Sequence, residues 1–171
     1  MGPLRIEPLD SAHDRSGFLS GSSALDRYLR LQASQDIRRR ITTCLVALDT
    51  ETEEIAGFYT LAGTSVPLDA LSEDVARKLP RYPLVPAALL GRLAIAQSYQ
   101  GRGLGATLLV DALKRAARAE LGVFALIVDA KDDPAQRFYE HFGFPLLPGE
   151  TRRLVLPIAT ALRLLEGEGK R

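Results

Sequence analysis

Residues 87–130 constrain the fold more than any other stretch of this chain. AALLGRLAI (87–95) is apolar enough for a central strand, and QSYQGRGLG (97–105) is a turn rich in glycine. ATLLVDALKRAARAEL (106–121) carries the apolar spacing of an amphipathic helix, and GVFALIVDA (122–130) reads as a second buried strand. Strand, loop, helix and strand in that order imply a parallel pair joined by a right-handed crossover.

The flanking segments extend this unit. Residues 22–37 read as a helix capped by Ser22 or Ser23, with Asp26 in its first turn. Residues 41–48 and 55–61 are rich in β-branched and aromatic side chains and form a hairpin across the polar turn DTETEE. Residues 68–79 predict a short helix, closed by Pro80, Pro83 and Pro86. Beyond the second strand, Asp132 or Asp133 caps a helix with Pro134 in its first turn, ending at Gly143. Residues 152–156 predict a last strand, followed by a weak helix and a polar tail. No repeat or linker interrupts the 171 residues, so one α/β domain over 1–171 is expected, with 165–171 as a flexible tail.

Composition narrows the chemistry. One cysteine, Cys44, excludes an internal disulfide, and with only His13 and His141 beside it no metal site is expected. No apolar run spans a bilayer and the first residues lack a signal-peptide core, so the expected location is cytoplasmic, away from membranes. The net charge is +1, yet 18 of the 22 basic residues are arginine, whose planar fork suits phosphate. Arg38, Arg39 and Arg40 form a run, and Arg92 lies inside the first strand of the central unit. A solvated helix end explains the run as well as a nucleic-acid phosphate does. A charge within a strand needs a partner, either an internal acid or a ligand.

The glycine loop, Gln100-Gly101-Arg102-Gly103-Leu104-Gly105-Ala106, lies between a strand and a helix N-terminus. Unpaired N–H groups and the positive end of the helix dipole make such a place fit for an anion. The plain alternative is a tight strand–helix turn. No Lys-Ser/Thr follows, so the loop is not a Walker A phosphate loop. Gly101, Gly103 and Ala106 fit a dinucleotide fingerprint. Residues 97–100 separate them from the strand, however, and too little chain follows Asp129 for a doubly wound domain.

Gln100–Gly105 resembles the Q/R-x-x-G-x-G/A loop of GNAT-family N-acetyltransferases, and FYEHFGF (138–144) resembles the helix and turn before that family's final strands. FLSGSSALDRYLR (18–30), IAGFYTL (55–61) and LLGRLAI (89–95) are similar to a narrower subgroup, the tRNA-acetylating toxins of bacterial type II toxin–antitoxin pairs. The resemblance covers nearly the whole chain. It implies a mixed, mostly antiparallel sheet with a central splayed parallel pair, flanked by helices. It implies acetyl-CoA as co-substrate, with Leu93, Ala94 and Ile95 meeting the pantetheine arm through main-chain atoms. Gln100, Gly101, Arg102, Gly103, Leu104, Gly105 and Ala106 would form the pyrophosphate loop, and Tyr139 would be the general acid. It further implies aminoacyl-tRNA as substrate, for whose phosphates Arg38, Arg39, Arg40 and Arg92 are the candidates, together with a ribbon-helix-helix antitoxin and a homodimer. Asp129 and Asp132 lie near the expected cleft, but the base stays unassigned, with water as a candidate. An acetyltransferase of a small amine or protein N-terminus is the alternative. A non-catalytic acyl-CoA-binding module is the third reading.

Overall fold

The computed structural model describes residues 2–169. Six strands lie in one sheet in the order β1-β2-β3-β4-β5-β6. They are β1 (Leu4–Pro8), β2 (Thr43–Asp49), β3 (Ile55–Pro67), β4 (Leu84–Ile95), β5 (Ala125–Asp129) and β6 (Arg153–Pro157). β1 with β2, β2 with β3, and β5 with β6 pair antiparallel, while β4 with β5 is parallel. The helices are α1 (Ser23–Arg27), α2 (Ala33–Arg38), α3 (Glu73–Ala76), α4 (Leu104–Arg118), α5 (Asp133–His141) and α6 (Ile158–Gly169). The expected mixed sheet with one parallel pair and flanking helices is thus the architecture observed. Among the described residues no helix is long and apolar enough to cross a membrane.

Contacts gather in two compact units, Met1–Ala62 with Gly91–Ala112 and Gly63–Leu90 with Leu113–Arg171. The core of the first includes Leu29, Val46, Phe58, Ala94 and Leu104. β2 is buried at nearly every position rather than at every second one, as a strand covered on both faces must be. Gly57 in β3 sets how closely β4 approaches. A Cβ there would stand 2.9 Å from the Ala94 carbonyl oxygen, so only glycine fits without a backbone shift.

The core of the second unit includes Val66, Val85, Ile127, Leu147 and Val155. β5 is buried along its length up to Asp129, and its parallel ladder with β4 runs from Ala87↔Ala125 to Leu90↔Val128. β4 itself continues to Ile95.

Several elements depart from the expectations. β1 carries no strong strand signal, being short and bounded by Pro3 and Pro8, and it forms by pairing with the distant β2. The helix expected over 22–37 is interrupted by a π-helical turn over Tyr28–Gln32. Residues 68–79 hold only a 3₁₀ turn (Leu68–Ala70) and the single-turn α3, capped by Ser72. α4 starts at Leu104 rather than at 106, because Gly103 supplies the turn into the helix. α6 runs to Gly169, so helix occupies most of the segment expected as a tail, and residues 170 and 171 lie outside the described residues.

Candidate functional site

In the first unit, β4 leads through a 3₁₀ turn, Gln97–Tyr99, into the glycine loop. Gly101 and Gly103 both have φ of +77°, which side-chain-bearing residues resist, and a Cβ on either would meet open space. Glycine is therefore required here by backbone angle and not by crowding. The Thr107 N–H donates to the Gly103 carbonyl at 3.1 Å, which makes Gly103 the residue that caps α4. A glycine cap offers no side-chain oxygen to the N–H groups of Leu104, Gly105 and Ala106, and no acidic side chain stands in that first turn. The arrangement leaves a positive helix end for an external anion.

The loop is held from two sides, on one of them by bonds to the segment before α1. The Gln100 side-chain amide donates to the carbonyls of Ser20 (2.8 Å) and Ile95 (2.9 Å), and the Gln97 N–H donates to the Leu19 carbonyl (2.7 Å). Gln100, expected at the cofactor, thus spends its donors on fastening the loop to the segment before α1. Ser20 is fixed in turn by buried Asp26, which accepts its hydroxyl at 2.6 Å and its N–H at 3.0 Å.

On the other side, the Tyr99 hydroxyl donates to buried Asp49 at 2.8 Å, and Asp49 also accepts the N–H groups of Gly2 and Glu51 at 3.0 Å. The Tyr99 bond, helped by these amides, holds the Asp49 carboxyl below its ordinary range. Arg102 lies over the Tyr99 ring, 5.7 Å from its centroid. Of the pantetheine candidates, Ala94 is buried in the core while Leu93 and Ile95 are half-buried, compatible with main-chain roles.

Arg92 faces the helices. Its guanidinium carbon stands 3.6 Å from the Tyr28 ring centroid, and the Tyr28 hydroxyl donates to Asp36 at 2.8 Å. Arg38, Arg39 and Arg40 are exposed at the end of α2, and Arg40 has φ of +60°. Cys44 is buried with its thiol pushed up to about 12 by desolvation, as suits a small core side chain. His13 bonds Glu7 at 2.8 Å and accepts the Asp10 N–H at 3.0 Å.

In the second unit, Tyr139 sits near the C-terminus of α5, its ring buried among Phe138 (5.2 Å) and Phe144 (5.9 Å). Burial, with Asp129 nearby, pushes its pKa well above that of an ordinary phenol. Among the described residues its hydroxyl meets no hydrogen-bond partner, and it is not a sealed, unsatisfied atom either. It is a proton donor without an internal acceptor.

Neither aspartate considered as a base is disengaged. Asp129 forms a two-pronged bond to Arg153 at 2.8 and 3.0 Å, and Asp132 caps α5 by accepting the Ala135 N–H at 2.9 Å. His141 is exposed.

Comparison with known proteins identifies the family. Residues 13–144 match the acetyltransferase (GNAT) family. A tRNA-acetylating toxin of Mycobacterium tuberculosis is 37% identical over 165 residues, 95% of this chain and 95% of that protein. A probable toxin TacT of Sinorhizobium fredii is 29% identical over 94% of each chain. The solved structure of AtaT complexed with acetyl-methionyl-tRNAfMet superposes with a TM-score of 0.86 at 33% identity, covering 96% of this chain and 99% of that one. The chain belongs to the GNAT acetyltransferase family and is an N-acetyltransferase.

Proposed function

We propose that this enzyme transfers the acetyl group of acetyl-CoA to the α-amine of aminoacyl-tRNA and so acts as a toxin that blocks translation. What carries the reading is likeness along the whole chain, the α1–α2 segment included, to a tRNA-acetylating toxin. The backbone N–H groups of Arg102, Gly103, Gly105 and Ala106 bind the pyrophosphate, and the main chain of Leu93, Ala94 and Ile95 lines the pantetheine arm. The neutral amine attacks the thioester carbonyl, a C–N bond forms and the C–S bond breaks. The departing thiolate takes its proton from the Tyr139 hydroxyl, and the amine's proton passes to water. An α-amine has an ordinary pKa of about 8, so part of it is neutral without a strong base. That fits a chain whose nearby aspartates are already bonded.

Arg38, Arg39, Arg40 and Arg92 contact tRNA phosphates in this reading. The enzyme works in the cytoplasm as a homodimer restrained by a ribbon-helix-helix antitoxin. A solved structure of AtaT bound to the C-terminus of its antitoxin AtaR, 30% identical over 94% of this chain at TM-score 0.77, supports such a partner.

The test is incubation of purified enzyme with labelled acetyl-CoA and a pool of charged tRNAs, with free amines in parallel. Label is expected in the tRNA fraction and absent with Tyr139→Phe. Label on small amines or proteins alone would overturn the tRNA reading.

A further inference from the structure

The π-helical turn at Tyr28–Gln32 does something that neither the glycine loop nor Tyr139 explains. Single π turns inside helices cost regular hydrogen bonding and cluster where function re-aims a side chain. Here the Ala33 N–H donates to the Tyr28 carbonyl, a five-residue step. The widened turn leaves the Tyr28 hydroxyl on Asp36 Oδ2 at 2.8 Å, although eight positions separate them. The Gln32 side-chain amide donates to the other carboxylate oxygen of Asp36 at 3.0 Å. One oxygen of Asp36 therefore holds the phenol while Gln32 steadies the carboxylate through the other.

That phenol supports Arg92. The guanidinium carbon lies over the Tyr28 ring, 3.6 Å from its centroid, while Phe58 stacks on the same ring with centroids 6.4 Å apart. A hydroxyl donating to a carboxylate enriches the ring in electron density and strengthens its hold on a cation. A contact with the ring spends none of the guanidinium's N–H groups on a hydrogen-bond acceptor and leaves them for a ligand. Among the described residues Arg92 forms no ion pair. The bonds from Gln32 and Tyr28, with Arg92 and Arg39 nearby, keep Asp36 ionised. Asp36 also accepts the Ile41 N–H through its backbone carbonyl at 2.9 Å, so the same residue closes the turn bearing Arg38, Arg39 and Arg40.

We propose that Tyr28, locked by Asp36 and Gln32 at the π turn, is a positioning residue that holds the Arg92 guanidinium over its ring so that its N–H groups grip one phosphodiester of the nucleic-acid substrate. The inference rests on the tRNA reading and adds to it a device for rigid, planar recognition. A planar fork held against a ring loses less freedom on binding than a mobile cation does.

The test compares Arg92→Gln, Arg92→Lys, Tyr28→Phe, Tyr28→Leu and the double variant Tyr28→Leu/Arg92→Gln by steady-state acetylation of charged tRNA at several salt concentrations. Arg92→Gln is expected to raise KM for charged tRNA roughly tenfold and to lessen the salt slope of affinity by about 1. Arg92→Lys should recover little, because charge without a planar fork does not stack or grip in the same way. Tyr28→Phe keeps the ring and should raise KM only about twofold, whereas Tyr28→Leu should approach Arg92→Gln. The double variant should be no worse than Arg92→Gln alone.

Wild-type enzyme that leaves charged tRNA unlabelled defeats the tRNA reading and this inference together. Wild-type acetylation with an unchanged salt slope in Arg92→Gln defeats only the inference. So does a double variant whose losses multiply. Tyr28→Phe and Arg92→Lys keep the test readable should Tyr28→Leu fail to fold.

Discussion

Two helices of this protein end in the same hydrogen-bond pattern with opposite sequences. At the end of α5, the Phe144 N–H donates to Tyr139 at 3.2 Å and the Gly143 N–H to Glu140 at 3.0 Å. At the end of α2, the Ile41 N–H donates to Asp36 at 2.9 Å and the Arg40 N–H to Ile37 at 3.0 Å. Both are Schellman turns, which need a left-handed residue and favour an apolar contact across the turn. α5 meets both needs: Gly143 has φ of +92°, and Phe144, 2% exposed, packs its ring on Tyr139. α2 meets the first only at a cost, with Cβ-bearing Arg40 at +60°, and leaves the second unmet, since Ile41 is 63% exposed. The α5 turn is packed rigidly around Tyr139, the acid of the proposed mechanism, while the α2 turn accepts strain where three arginines stand in water. Strain of that kind is kept where a side chain has work elsewhere.

The largest expected effect lies at the well-built end. Tyr139→Phe leaves the aromatic packing intact but removes the hydroxyl, and kcat should fall on the order of 10²–10⁴-fold with little change in Tm. A comparable fall in Tm would mean that the residue serves the core alone. Gly143→Ala comes next. It should cost about 1–2 kcal/mol in denaturant unfolding, because a Cβ at this φ is strained. That Cβ would also press on Leu164 Cδ1 at 3.3 Å.

How far the chain could be read follows the same division. The α5 turn was legible because its signals are local: Asp132 to cap, Pro134 to start, Gly143 to stop. The glycine loop was legible for the same reason, as positive φ leaves few choices but glycine. Arg40 hides its turn, because arginine is not a residue that announces a left-handed angle. The π turn is equally silent, since Tyr28 fits an ordinary helical apolar stripe until its hydroxyl is seen on Asp36. β1, the Tyr99–Asp49 bond and the Gln100–Ser20 bond join residues 37 or more positions apart, and no local pattern encodes them.

At the strained end the expected effects are smaller and run in opposite directions. Arg40→Gly should raise unfolding stability by about 1 kcal/mol by relieving the left-handed strain. It should at the same time weaken binding of charged tRNA and lessen its salt slope. Arg40→Ala should weaken binding equally with no gain in stability, because alanine keeps the strain. Gain and loss that fail to separate in this way would remove the functional reason for an arginine at that position.

The smallest effects are in pH, and the two ends titrate on opposite limbs. Asp36 is held below the ordinary carboxylate range, chiefly by the Gln32 and Tyr28 bonds, so its folded pKa lies under its unfolded one. Its contribution is complete above the unfolded value of about 4 and is lost as pH falls through the folded one. Tyr139 is the reverse case. Its folded pKa is raised by burial and by Asp129, so the folded state keeps a proton that the unfolded chain releases. Stability from Tyr139 is complete below about pH 10 and is lost as pH rises beyond it. Asp36→Asn should therefore flatten chiefly the acid side of a Tm-against-pH profile, with a smaller change on the alkaline side because Asp36 also helps to raise Tyr28. Tyr139→Phe should flatten part of the alkaline side only, because buried Tyr28, raised by the same cause, remains to titrate there. An acid limb unchanged in Asp36→Asn, or an alkaline limb unchanged in Tyr139→Phe, would show that the end of α2 and the end of α5 are not held by the groups assigned to them.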